Sequence, residues 1–205
     1  TPLYSSAASD VYKRQNQIHP IILHPHKSTD WDQIQDLRLN SNILTIDAIE
    51  GQVMDLIKAD HPEVQFTKGE LDQQVKDFFI KNERDFYGNW VFFPWKNTLV
   101  HILAEQEFVR VRTLRNNYKI TPSEQQDLGK KKVGIVGLSV GQSIALAMAL
   151  ERSCGEMRLA DFDTLELSNL NRLKAGVTSL GLEKVVIAAR EISEIDPYLK
   201  LTLFR

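Results

Sequence analysis

The chain has 205 residues, 42% hydrophobic and 25% charged, which is room for one medium domain or two small ones and too apolar a balance for a disordered chain. Its 25 basic and 27 acidic residues leave a formal charge of -2, so neither nucleic acid nor an anionic membrane is expected as a partner. One cysteine, Cys154, excludes an internal disulfide, and no apolar run reaches the ~18 residues that span a bilayer, so a reducing cytoplasm is the expected setting.

Residues 1–15, TPLYSSAASDVYKRQ, lack the charged start and apolar stretch of a signal peptide and carry no fold pattern. They read as translated linker at an artificial start, with the other end open to truncation as well. From 16 to 41 the chain is polar, with one short strand expected at Ile21, Ile22 and Leu23. Asp47 and Glu50 have the spacing of a capping box, and Ile49, Val53, Leu56 and Ile57 continue at helical spacing to His61-Pro62. A second amphipathic helix is expected over 69–84, with Leu71, Val75, Phe78 and Phe79 on one face. The β-branched and aromatic runs WVFFPW, TLVHIL and EFVRVRTL, within 90–114, predict two or three strands. Residues 16–126 therefore read as a small α+β region.

Thr121-Pro122-Ser123-Glu124 supplies an N-cap, a proline at the first helical position and a capping glutamate for a short helix to Leu128. The pattern then becomes βαβ: the strand KKVGIVG, the loop LSVG, the apolar helix QSIALAMALERS and the strand EMRLADFD. A helix over 182–194 and the strand LKLTLF extend it. The fold class expected for 127–205 is α/β, the Rossmann-like front of a doubly wound, mainly parallel sheet.

Gly137 and Gly141 lie between a buried strand and a helix, where backbone N–H groups and the positive helix end can approach a phosphate. The spacing G-L-S-V-G is one residue tighter than G-x-G-x-x-G, with Ser139 where a second glycine is common, so alone it fits phosphate binding or plain strand-to-helix packing equally. Asp161 and Asp163 end the second strand about 20 residues later, where an acidic side chain accepts from ribose hydroxyls; turn-forming aspartates are the bland alternative.

The continuation DFDTLELSNLNR, then Gly181-Leu182-Glu183-Lys184, resembles the E1-like activating enzymes, the family of ThiF, MoeB, HesA and the ubiquitin-activating enzymes, whose signature is D-x-D, S-N-L-x-R and a lysine beyond. The likeness runs from about Arg112 to Arg205. It implies that Asp161 holds the ribose of ATP, that Asn169 and Arg172 contact the phosphates and that Lys184 adds a second cation. Arg172 offers a planar fork of donors and Lys184 a movable point charge, a pair suited to charge building on phosphoryl oxygens. The Mg²⁺ ligand, the nucleophilic cysteine and the paired zinc cysteines of various members would lie beyond residue 205. Leu173-Lys174 replaces the glutamine the family has after the arginine, and the glycine loop is short, which places the chain in a divergent branch.

The resemblance implies ATP-dependent adenylation of a carboxylate, the C-terminus of a small sulfur-carrier or ubiquitin-like protein, by a homodimer. Arg115, with Arg112 as runner-up, is the nearest match to an arginine that reaches the partner subunit's nucleotide, a surface arginine being the alternative. The combination of KITPSEQQ, VGIVGLSVGQSIA and LADFDTLELSNLNR also resembles bacterial ThiF-type proteins that carry a nitroreductase-like domain further along. An NAD(P)-dependent oxidoreductase would use the same loop and Asp161 without needing Asn169, Arg172 and Lys184, and a non-catalytic nucleotide-binding module is the third reading. Cys154, beside Gly155 at a helix-to-strand turn, reads as structural. His24, His26, Asp30 and Asp32 read as polar loop residues.

Overall fold

The computed structural model describes residues 17–205, so the linker-like reading of 1–15 lies outside them. The chain forms two compact units, one of Ile21–Leu114 and one of Arg115–Arg205 together with residues 17–20. No helix among the described residues is long and apolar enough to cross a membrane.

The N-terminal unit runs β1 (Ile21–Leu23), α1 (Ser28–Leu39), β2 (Leu44–Asp47), α2 (Ile49–Asp60), α3 (Lys68–Lys81), β3 (Asn89–Phe93), β4 (Thr98–Ile102) and α4 (Glu105–Thr113). Its sheet has the order β1-β3-β4-β2, antiparallel except for the parallel pair β2 and β4. Ile34 of α1 packs on Leu23, Trp90 and Leu99. A second core joins Ile49, Val53, Leu56 and Ile57 of α2 to Leu71 and Val75 of α3 and to Leu103.

Three expectations change here. Residues 28–39 are helical, and Leu44–Asp47 is an edge strand where a helix start was expected. Asp47 makes no capping box: α2 begins after Ala48, which has no side-chain cap, and the Asp47 carboxylate reaches Ile49 N–H only at 3.5 Å while binding Arg84 and His101 more closely. The capping box stands one helix later, where Thr67 and Glu70 hold the first turn of α3. The run EFVRVRTL is the helix α4 rather than a third strand, because Phe108 and Val111, three residues apart, both pack on the α2/α3 core.

The C-terminal unit runs α5 (Pro122–Leu128), β5 (Lys132–Val136), α6 (Leu138–Glu151), β6 (Glu156–Ala160), α7 (Lys184–Ile195) and β7 (Lys200–Phe204). Thr121 and Glu124 make the expected capping box on α5. The sheet is wholly parallel in the order β5-β6-β7, with Lys132, Glu156 and Lys200 in register at one end and Val136, Ala160 and Phe204 at the other. Ile135, Met157, Leu159 and Leu201 alternate toward α6 and α7, whose Leu146, Ala149, Val185, Ala188 and Ile192 complete one buried core. This is the Rossmann-like α/β arrangement read from the sequence. The segment LSVG, expected as a loop, is the first turn of α6, and Asp161-Phe162-Asp163 lies just past the end of β6.

Candidate nucleotide site

The site forms where the carboxyl ends of β5, β6 and β7 meet the amino end of α6, the edge at which open parallel sheets present their loops. Gly137 turns the chain from β5 into α6 with φ +83°, a left-handed conformation that favours glycine, and its N–H donates to the Ala160 carbonyl at 2.8 Å. A Cβ on Gly141 would come within 2.7 Å of the Ile135 side chain, so that glycine lets the helix lie against β5. No side chain of the preceding residue caps α6. The Asp161 carboxylate does so from the next strand, accepting from Leu138 N–H at 2.6 Å with one oxygen and from Asp163 N–H at 2.8 Å with the other. A negative group at a helix amino end is stabilised by the helix dipole. Asp161 thus closes the glycine turn, and the ribose role read from sequence would fall to its remaining lone pairs.

Two adjoining cavities share Ser139, Phe162 and Asp163. The first, about 350 Å³, is mostly apolar and is lined by Val136, Gly137, Asp161 and Phe204 as well. Phe162 is 90% exposed and Val136 85%, so a flat apolar group would find uncovered surface here. The second, about 370 Å³, is polar and includes Glu166, Asn169, Arg172 and Lys184.

Lys184, the first residue of α7, is only 6% exposed. Its Nζ donates to Asp163 Oδ2 at 2.7 Å and to Ser139 Oγ at 3.3 Å, and its backbone N–H donates to the Asp163 carbonyl at 3.0 Å. The buried ammonium therefore has a carboxylate partner, as a buried charge requires, and that carboxylate is itself half-exposed. Asn169 is buried, and its Oδ1 accepts from Glu166 N–H at 3.0 Å, which fixes the turn before Arg172. Arg172 is exposed and donates to Asn171 Oδ1 at 3.0 Å and to the Ser168 carbonyl at 3.5 Å.

The structure thus brings Gly137, Ser139, Asp161, Asp163, Asn169, Arg172 and Lys184 to one pair of cavities, with Gly141 behind them against β5. Arg115 is exposed in the 3₁₀ turn Leu114–Tyr118 and lines neither cavity. Glu166 and Phe204 line the cavities without having been singled out; Glu166 stands inside the quoted motif, while Phe204 arrives only through the strand order. Cys154 is fully buried, and burial pushes its thiol up, which fits the structural reading of this residue. In the N-terminal unit, His24 Nδ1 lies 2.9 Å from Asn89 Oδ1, Asp30 accepts from the His24 backbone, and His26 lies against Phe86.

Residues 112–205 match the ThiF family model, the same span over which the sequence resembles E1-like enzymes. This segment is of the ThiF family. The chain is 51% identical over 114 residues to the Mycobacterium tuberculosis protein MT1398, covering 56% of this chain and 16% of that protein. It is 34% identical over 79 residues to ubiquitin-like modifier-activating enzyme 5 of Aedes aegypti, covering 38% of this chain and 20% of the enzyme. The chain therefore spans no more than about a fifth of these relatives. Among solved structures, the E. coli tRNA N6-threonylcarbamoyladenosine dehydratase TcdA in complex with ATP is 27% identical, covering 46% of this chain and 40% of that one with a TM-score of 0.44.

Proposed function

We propose that the ThiF-family segment binds ATP and that the protein to which it belongs adenylates a carboxylate. The observation that carries this reading is the pairing of an apolar cavity beside Asp161 with a polar one that holds Arg172, Lys184 and the amino end of α6. A nucleobase and ribose suit the first, and a triphosphate suits the second. A carboxylate oxygen attacks the α-phosphorus, the bond from that phosphorus to the α,β-bridging oxygen breaks, and pyrophosphate leaves with the bond's electrons. Arg172 and Lys184 neutralise charge on the non-bridging oxygens, and the N–H groups of Ser139 and Val140 add helix-end donors. Lys184 then exchanges part of its contact with Asp163 for phosphate, so no unpaired buried cation waits in the free protein.

Mg²⁺ would accompany ATP and offset charge on its phosphates; Asp163, which borders both cavities, is committed to Lys184. The adenylyl acceptor we assign is the C-terminal carboxylate of a small sulfur-carrier or ubiquitin-like protein, handled by a homodimer in the cytoplasm, with Arg115 reaching across to the partner's nucleotide. These assignments rest on the family resemblance.

Thermal stabilisation by Mg-ATP and by NAD tests the reading on this chain and on Arg172→Ala. A ligand at 100 times its Kd adds about 2.7 kcal/mol if it binds only the folded state. Stabilisation by ATP and not NAD, lost in the variant, is expected. Preference for NAD with Arg172→Ala silent would replace adenylation with nicotinamide chemistry.

A further inference from the structure

Gln142 is the one polar side chain that points inward from the otherwise apolar inner face of α6, and it is 4% exposed. Its Nε2 donates both hydrogens: one to the Lys174 carbonyl at 3.1 Å and one to Glu191 Oε2 at 2.6 Å. The second bond is charge-assisted, the stronger class. The three segments joined by this amide are those that carry both cations of the polar cavity and Ser139. Ser139 precedes Gln142 on α6, Arg172 precedes Lys174 in the turn, and Lys184 precedes Glu191 on α7.

The turn itself is held at both ends. At its start, the Asn169 carbonyl accepts from Arg172 N–H at 3.1 Å and Leu173 N–H at 3.0 Å, while its side chain is locked to Glu166. Leu173 is buried with Leu165 and Ile187. At its end, the backbone of Lys174 is tied by the Gln142 amide. Arg172 projects from the short stretch between these anchors, and its own side chain has only exposed, local contacts to fix it.

We infer that Gln142 is a positioning residue for phosphate recognition: by bracing the Arg172 turn against α6 and α7, it sets the separation of Arg172 from Lys184. This rests on the nucleotide reading above. A charge placed about 1 Å away from its productive position loses much of its effect on a bound anion, so the brace acts on affinity for phosphates and not on the nucleoside.

Gln142→Met keeps an unbranched side chain of similar length in the helix and removes both donors. ATP and adenosine binding are measured by calorimetry on the unaltered chain, on Gln142→Met, on Arg172→Ala and on the double variant. The expected result is about a tenfold loss of ATP affinity in Gln142→Met, the scale of one hydrogen bond. Adenosine affinity stays unchanged, and no further loss of ATP affinity appears when Gln142→Met is added to Arg172→Ala. Equal weakening of ATP and adenosine, or additive losses in the double variant, would overturn the inference, because a general disturbance of the fold produces both.

Failure of the inference and failure of the nucleotide reading look different. The first leaves Arg172→Ala damaging and Gln142→Met silent; the second leaves the unaltered chain binding ATP no better than adenosine. Tryptic cleavage after Arg172 and Lys174 tests the brace without nucleotide. Faster cleavage at these two sites in Gln142→Met, with other sites unchanged, supports it, and an unaltered rate overturns it.

Discussion

His101 in the N-terminal unit and Lys184 in the C-terminal unit are both buried, and each lies against an aspartate, yet their surroundings differ. The His101 ring is enclosed on every side: Nδ1 lies 3.0 Å from Asp47 Oδ1, Nε2 lies 2.7 Å from the Tyr87 carbonyl, and the face stacks on Trp90 with centroids 4.1 Å apart. Arg84 then satisfies the outer side of Asp47. Lys184 instead ends in a polar cavity beside a half-exposed carboxylate, and its ammonium keeps a side open to an incoming anion. A buried polar group in a closed network organises a fold, whereas the same degree of burial at a cavity wall prepares a site.

The comparison breaks most visibly if His101 is replaced. His101→Ala removes a ring from a packed position, and loss of an aromatic side chain from a core costs ~3 kcal/mol. Urea unfolding is expected to show that loss, while ATP binding on the intact variant stays unchanged; a fall in ATP affinity would contradict the division of roles. Lys184→Met should do the reverse. ATP binding weakens by ~2 kcal/mol, the scale of a charge-assisted hydrogen bond, measured by calorimetry. Stability changes little, because the aspartate left behind is half solvated.

Glu156 sharpens the comparison with a third arrangement and the smallest effect. It is shielded beneath Arg158, Lys200 and Lys132, all three of which face solvent. The Arg158 hydrogen bond, followed by Lys200 and Lys132, holds its carboxyl down at about 2 against burial. A carboxyl with a depressed folded pKa binds protons more readily when unfolded, so its stabilisation is present above about pH 4.5 and is lost as pH falls toward 2. Glu156→Gln should flatten the acid limb of the stability profile of the C-terminal unit; an unchanged limb would assign the acid sensitivity to other groups.

The C-terminal unit was legible because its signals are redundant. Apolar strands, an apolar helix, a capping box at Thr121 and a motif from Asp161 to Lys184 all agree on one arrangement. The N-terminal unit offered single signals that compete. Helix α1 buries only Ile34 fully, with Trp31 and Leu37 partly covered, so its polar face dominates the pattern. Strand β2 is an edge of only four residues, and its apolar Leu44 and Ile46 are exposed while Thr45 between them is partly buried, so the alternation runs opposite to the usual buried-apolar signal. In α4, the alternation of Val109 and Val111 imitates a strand, and only the packing of Phe108 and Val111 on one core decides for a helix. At the site, residue types were readable but hydrogen-bond partners were not. Gln142 was visible as a polar residue in an apolar run, yet its partners, Lys174 and Glu191, lie 32 and 49 residues away along the chain.

The position of Asp161 also bears on redesign. Cofactor preference in dinucleotide folds is commonly altered by exchanging the acidic residue at the end of the second strand. Here both oxygens of that residue are already fastened to backbone amides, one starting α6 and the other starting the motif loop. Exchange of Asp161 would therefore alter ligand chemistry and loop architecture in a single stroke. A change of nucleotide preference in this scaffold has to begin elsewhere on the cavity wall, at side chains such as Phe162 that no part of the backbone depends on.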